Sequence, residues 1–179
     1  MSLYDDAVAE LTRWAPPDAQ QAALRATYLA HLQDHRDGLS RTCHPDHLTA
    51  SLLVVNPGRD KVLLNLHGKY RIWVQFGGHC EEDDAGLAVA ALREGAEESG
   101  IGTLALAADG PAQLSTHEVR CGPLRPAHHL DVRYVAVAPD EAVAVASAES
   151  LAVRWFDVAR LPDSLEAPLR DLVRLATSR

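Results

Sequence analysis

Residues 87–101, LAVAALREGAEESGI, form the pattern of an α-helix that is both apolar enough to be buried and strongly charged. At about 100° per residue, Val89, Leu92 and Ala96 share one side, while Leu87, Ala90, Ala91 and Ile101 share the opposite side with Glu94, Glu97 and Glu98. Apolar residues on both sides predict a helix held between layers. The three carboxylates, at i, i+3 and i+4, then need a partner. Like charges one turn apart cost roughly 0.2–0.5 kcal/mol per pair even in water, and uncompensated burial costs several times more. A divalent cation removes both penalties. An all-oxygen ligand set suits Mg²⁺ or Mn²⁺ better than zinc.

Charge narrows the choice of ligand. The 179 residues carry 17 Lys+Arg against 25 Asp+Glu, a net charge of −8, with no basic run. Nucleic-acid polymers and anionic membranes need a basic face, so neither is an expected partner. An anionic small molecule would have to be met through a cation. The longest apolar runs, such as Leu52–Val55, fall far short of the roughly 20 residues that span a bilayer. The first ten residues are acidic and lack a signal-peptide core, so a cytoplasmic location is expected. Cys43, Cys80 and Cys121 are odd in number, far apart and outside any CxxC pair, which predicts reduced thiols.

Periodicity divides the rest of the chain. Val8, Leu11, Trp14, Leu24, Tyr28 and Leu32 recur at helical spacing between Ala7 and His35, interrupted by Pro16-Pro17, and predict a helical hairpin. Strands are expected at Leu48–Val55 and Val62–Leu66 around a turn at Asn56–Asp60, and again at Trp73–Phe76, ending at Gly77-Gly78. The central helix stops at Gly100, a residue type suited to the left-handed C′ position. Further strands are expected at Leu104–Ala107, Gln113–Val119, His129–Ala138 and Leu151–Phe156, then a helix from Ser164 to Ala176. The reading is a mixed α/β domain over residues 46–179 with an N-terminal helical extension over 1–45. That extension could cap the sheet, mediate a homodimer or roof a pocket.

The central helix also follows a distinctive loop. Phe76-Gly77-Gly78-His79 and the acids Glu81, Glu82, Asp83 and Asp84 precede Arg93-Glu94, Glu97-Glu98 and Gly100-Ile101. This arrangement resembles the signature of the Nudix hydrolases: Gly, five residues, Glu, seven residues, Arg-Glu, an aliphatic residue, any residue, Glu-Glu, any residue, Gly, aliphatic. Gly78 matches the leading glycine. The chain departs from the pattern in having Asp84 for the first Glu, eight residues rather than seven before Arg93, and Gly95 in the aliphatic position. An extra residue can be absorbed ahead of the helix without moving Arg93 relative to the glutamates. Gly95 is expected to cost about 1 kcal/mol relative to Ala. The resemblance implies an α/β/α sandwich around a central mixed sheet.

It also implies roles. Glu94, Glu97 and Glu98 would hold Mg²⁺ or Mn²⁺, and a water activated there would attack phosphorus in a small-molecule diphosphate substrate. Arg93, one turn before Glu97, is expected to orient that carboxylate. Gly78 lets the loop backbone approach either the helix or the diphosphate, and His79 is expected beside the diphosphate. Asp84 is expected to cap the helix. Glu149, ahead of the last strand, is a candidate additional base. Tyr70, Trp73 and Tyr134 are expected to fill the core, and Arg125 and Arg133 to meet phosphate or lie at the surface. His67, His79, Cys80, His128 and His129 show no zinc-motif spacing beyond adjacent pairs.

The primary expectation is hydrolysis of a phosphoanhydride bond in a nucleoside diphosphate linked to another moiety or in a nucleoside triphosphate. An isopentenyl-diphosphate isomerase-like enzyme is the first alternative, suggested by Gly78-His79-Cys80 and His128-His129. The intact Arg93-Glu94 and Glu97-Glu98 oppose it. A noncatalytic Nudix domain that senses a ligand is the second, and the same intact glutamates oppose it.

Overall fold

A computed structural model of the chain describes residues 2–120, 123–148 and 150–178. Two helices open it, α1 (Leu3–Arg13) and α2 (Ala19–Asp34). Each has a side-chain cap: Ser2 Oγ accepts from the Asp5 N–H and Asp18 from the Gln21 N–H. Then come β1 (His47–Val55), β2 (Lys61–His67), β3 (Trp73–Val74) and β4 (Phe76–His79). After α3 (Leu87–Ser99) follow β5 (Ala105–Leu106), β6 (Gln113–Val119), β7 (Ala127–Val137), β8 (Ser150–Asp157) and α4 (Ala167–Thr177). The single strand expected at Trp73–Phe76 is instead two: β3 stops at Val74, and β4 starts at Phe76 and runs through both glycines to His79. β1 and β4 pair there in register, and glycine leaves the backbone free to do so.

β1 is buried along its whole length and organises the mixed sheet. It runs parallel to β7 from His47↔His129 to Val55↔Val137. Its other edge is shared by two antiparallel partners, β4 alongside Thr49–Leu52 and β2 alongside Val54-Val55. β3 and β8 extend the sheet from β2, and β5 and β6 from β7.

Strand alternation sorts the core into two layers. Leu48, Ala50, Leu52 and Val54 pack with Leu130, Val132, Tyr134 and Ala136 against α1, α2 and α3. On the reverse face, Leu53, Val55 and Val135 pack against Leu169, Leu172 and Val173 of α4. This is the expected α/β/α sandwich. It narrows one expectation, since the second apolar side of α3 is only partly buried. Leu87, Ala90, Ala91 and Gly95 face the sheet, whereas Val89 is 46 % exposed. α1 meets α3 at its start, where Asp6 lies against Gly86, and on the second side of α3 Leu92 packs against the main core while Val89 does not.

The helical extension caps the sheet. Ala7, Leu11, Tyr28 and Leu32 belong to the main core. Gln21 of α2 is clamped to the edge strand β6, its Nε2 donating to the Leu114 carbonyl at 3.0 Å and its Oε1 accepting from the Leu114 N–H at 2.6 Å. The side chain thereby satisfies a strand edge that would otherwise be open to pairing. Tyr134 donates to Glu10 at 2.7 Å across the same interface.

Gly95 also has a physical reason. A Cβ there would come within 2.5 Å of Leu52 Cδ2 and 3.3 Å of Leu104 Cδ1. Leu52 of β1 therefore fills the volume that the signature's aliphatic residue would occupy. The expected penalty against Ala is offset by this close approach of helix and sheet. Gly95→Leu is expected to destabilise by about 1–3 kcal/mol through overpacking, and Leu52→Ala by about 2–5 kcal/mol. In urea unfolding the double variant should be at least about 1 kcal/mol more stable than the two losses added together. Strict additivity would contradict the shared-volume account.

Candidate active site

The glutamates of α3 lie against β4. Glu98 accepts from the Gly77 N–H at 2.9 Å and from Asn65 Nδ2 of β2 at 3.2 Å. Gly77 has φ +151°, and a Cβ on it would strike Ser51 Oγ and the Ala50 carbonyl, so glycine is required where its N–H meets Glu98. Gly78 approaches the helix, not open solvent: a Cβ there would fall within 2.8 Å of the Glu94 carboxylate. Glu94 is half-buried, and that burial raises its carboxyl above the ordinary value despite the Arg93 contact. Glu97 points outward, with 61 % of its side chain exposed. The three carboxylates thus share one side of one helix at graded depth.

Arg93 is the junction of this region. Its Nε and Nη2 donate to both Asp84 oxygens at 3.0 and 2.9 Å, Nη2 also to the His79 carbonyl at 3.0 Å, and Nη1 to Glu94 at 3.0 Å. Its contact with Glu97 is longer, 3.5 Å. Arg93 therefore ties the 80–86 loop and β4 to α3 more than it orients Glu97. Asp84 does not cap the helix. The N-cap is Gly86, without a side-chain bond, while Asp84 is buried beneath Arg93 and also accepts from the Glu81 N–H at 2.8 Å. Burial alone would raise the Asp84 carboxyl, but Arg93 and the Glu81 N–H together hold it below its ordinary value. The additional residue of the loop is accommodated between Asp84 and the first turn.

A second polar region occupies the α4 face of the sheet. Asp131 of β7 accepts from Thr49 and Ser51 of β1 at 3.1 and 2.6 Å, from Gln75 at 3.3 Å and from Arg133 Nε at 2.8 Å. Arg133 also donates to Gln113 of β6 at 3.1 Å. The expectation of a surface or phosphate-facing Arg133 is corrected: its side chain is 8 % exposed and bonded to Asp131 and Gln113. Beyond this network, His47, His79 and His129 have ring centroids 4.9–5.1 Å apart. The His79 side chain joins this group, on the face of β4 opposite Glu94. Burial pushes His79 down to about 4 and His129 to about 3.

Local spacing concealed several of these residues. Asn65, Gly77, His47 and Asp131 carry no motif of their own. A signal did exist in the strands: His47, Thr49 and Ser51 in one, and His129, Asp131 and Arg133 in the other, alternate with apolar residues. Of the remaining candidates, Tyr134 is fully buried and Trp73 packs edge-on against Phe156, whereas Tyr70 is exposed. Glu149 and Cys121 lie outside the described residues. Cys43 and Cys80 are free and buried. Among the described residues no helix is long and apolar enough to cross a membrane.

Comparison with known proteins agrees with this architecture. A NUDIX hydrolase from Clostridium perfringens superposes with a TM-score of 0.57 at 24 % identity, covering 73 % of this chain and 93 % of that one. The Escherichia coli dihydroneopterin triphosphate pyrophosphohydrolase gives 0.56 at 18 % identity, covering 71 % and 92 %. A Caenorhabditis elegans Ap4A hydrolase gives 0.58 at 19 % identity, covering 72 % and 93 %. No curated protein sequence matches the chain. The family model of the NUDIX domain matches residues 45–176, nearly the whole of the sheet, α3 and α4, and the chain belongs to that family.

Proposed function

We propose that the chain is a divalent-cation-dependent hydrolase. Its reaction is cleavage of a phosphoanhydride bond in a nucleoside diphosphate linked to another moiety, or in a nucleoside triphosphate. The observation that carries this reading is the complete set Arg93-Glu94 and Glu97-Glu98 on α3, braced against β4 by the Gly77 N–H. The donor set fits a hard cation, since Glu94, Glu97 and Glu98 offer oxygen alone and Glu97 opens to solvent. Those three residues would hold the ion. When bound, Mg²⁺ or Mn²⁺ supplies charge neutralisation for the diphosphate and acidifies water.

The chain's own groups do the rest. A carboxylate of the set, or Glu149 as an additional base, takes the proton from the attacking water. Arg93 keeps Glu94 in place and the 80–86 loop closed. The main chain of Gly78 and His79 borders the carboxylates and is assigned to the diphosphate. The solved relatives described as a dihydroneopterin triphosphate pyrophosphohydrolase and an Ap4A hydrolase support a substrate of this class. Cys80 weighs against an isomerase: it is buried in the main core, and that burial pushes its thiol up to about 12, unsuited to proton transfer near neutrality. The complete glutamate set weighs against a noncatalytic sensor.

The test is a panel of nucleoside triphosphates, nucleotide sugars, dinucleotides, ADP-ribose and isopentenyl diphosphate incubated with Mg²⁺ and followed by ³¹P NMR. Mono- and diphosphate products from at least one nucleotide, with isopentenyl diphosphate unchanged, are expected. Isomerised isopentenyl diphosphate and intact nucleotides would overturn the reading.

A further inference from the structure

The histidine group on the α4 face has a geometry that α3 does not use. His117, His129 and His47 are direct cross-strand partners on β6, β7 and β1. His79 pairs with Thr49, two residues along the same face of β1 from His47. The register thus draws imidazoles from four strands into one band. Within it, His47, His79 and His129 each offer a ring nitrogen within 4.8 Å of the other two. His117 lies at the margin, its ring 5.4 Å from that of His129.

The hydrogen bonding of the group points to a ligand. His47 is completely buried, and its Nδ1 lies 3.1 Å from the Cys43 carbonyl. A carbonyl only accepts, so Nδ1 carries the proton and Nε2 is left with a free lone pair. This is the arrangement by which a backbone carbonyl fixes the tautomer of a metal-binding histidine. His47 Nε2 and His129 Nε2 are both buried and have no hydrogen-bond partner among the described residues. Buried polar atoms are almost always satisfied, so two unpartnered nitrogens within one cluster of histidines fit a bound metal ion.

We propose that His47, His79 and His129 form a three-imidazole site for a divalent transition metal, Zn²⁺ first, with one coordination position left open. Tetrahedral Zn–N bonds of about 2.0–2.1 Å set ligand nitrogens about 3.4 Å apart, which side-chain rotation reaches without moving the strands. Neutral nitrogen donors select Zn²⁺ over Mg²⁺, the reverse of the α3 carboxylates. The two centres differ in place as well as chemistry. Gly78 of β4 faces Glu94, while the adjacent His79 faces the histidines, so the centres stand on opposite sides of one strand. An open fourth position makes the site able to hold water or a substrate oxygen rather than serve only as a staple.

The experiment uses the full chain, stripped by chelator and kept in excess Mg²⁺ so that the α3 carboxylates are occupied. Zn²⁺ is titrated by calorimetry, and Co²⁺ by visible absorption. One Zn²⁺ per chain with Kd of about 1 µM or below is expected, together with the intense bands of low-coordinate cobalt. His79→Gln and His129→Gln should each weaken binding by about 100-fold or more, with far-UV circular dichroism unchanged. His117→Gln should bind as the parent does. If His129→Gln does not fold, the partly exposed His79 decides the matter. Absence of zinc binding in the folded parent overturns the proposal. So does a His79→Gln chain that binds as tightly as the parent, or a weak cobalt spectrum of six-coordinate oxygen type.

Discussion

Glu98→Gln is expected to lower kcat by about 10²–10⁴-fold while leaving the protein folded. Glu98 is the most constrained of the three carboxylates, because the Gly77 N–H and the Asn65 amide both donate to it. Glutamine removes the charge and replaces one acceptor oxygen with an NH₂ group. The Gly77 and Asn65 contacts can both persist, since the Asn65 amide can turn its Oδ1 to the new NH₂ group, so the loss falls on the charge that would hold the cation. Steady-state kinetics on the substrate found in the panel, beside a thermal melt, measures the effect. A folded Glu98→Gln protein with kcat close to the parent's would show that α3 holds no essential carboxylate there.

Removal of Arg93 should produce the largest loss of stability in the site. Arg93→Met leaves the Asp84 carboxylate, 5 % exposed, without its bidentate partner and also releases the His79 carbonyl. The pair is only partly shielded on the Arg93 side, so a loss of about 2–4 kcal/mol at pH 7 is expected, or about 5–15 °C in Tm for a domain of this size. The pH dependence has a definite sign. The folded-state Asp84 carboxyl titrates below its ordinary value of 3.8, so its contribution is present above that pH and fades as pH falls through the lower folded value. Urea unfolding of wild type and Arg93→Met should therefore differ most near neutrality and converge in acid, as pH falls below 3.8. A difference that widens in acid would contradict the role assigned to Asp84.

What the sequence reveals here is mostly local. The stop at Gly100, with φ +71° in the left-handed region, and the apolar stripe of α3 follow from residues within a few turns of each other. So do the proline-broken hairpin of α1 and α2 and the turn between β1 and β2. The Arg93-Glu94 and Glu97-Glu98 spacing is likewise helical, which is why the carboxylate side was legible before any fold was known. Long-range pairing was not. Asp84 binds Arg93 across nine positions of loop and helix, so its short-range preference for a cap gave no hint of that role. Thr49 and Ser51 meet Asp131 eighty positions away through the β1–β7 register, and the same register assembles His47 with His129. Gly95 is explained only by Leu52 on a strand more than forty residues earlier. Val89 reads as core by periodicity but is exposed, whereas Leu92 on the same side packs against the core.

If the α3 carboxylates support cleavage of a phosphoanhydride bond, the reaction needs both the cation and those carboxylates. Phosphate or nucleoside-monophosphate release should be compared for wild type and Glu97→Gln over the nucleotide panel, with Mg²⁺, with Mn²⁺ and with chelator. Glu97 is exposed, so its substitution leaves packing untouched and isolates the chemistry. Wild-type turnover should be abolished by chelator and reduced at least about 100-fold by Glu97→Gln. Turnover that persists in chelator, or is equal in both proteins, would contradict that requirement.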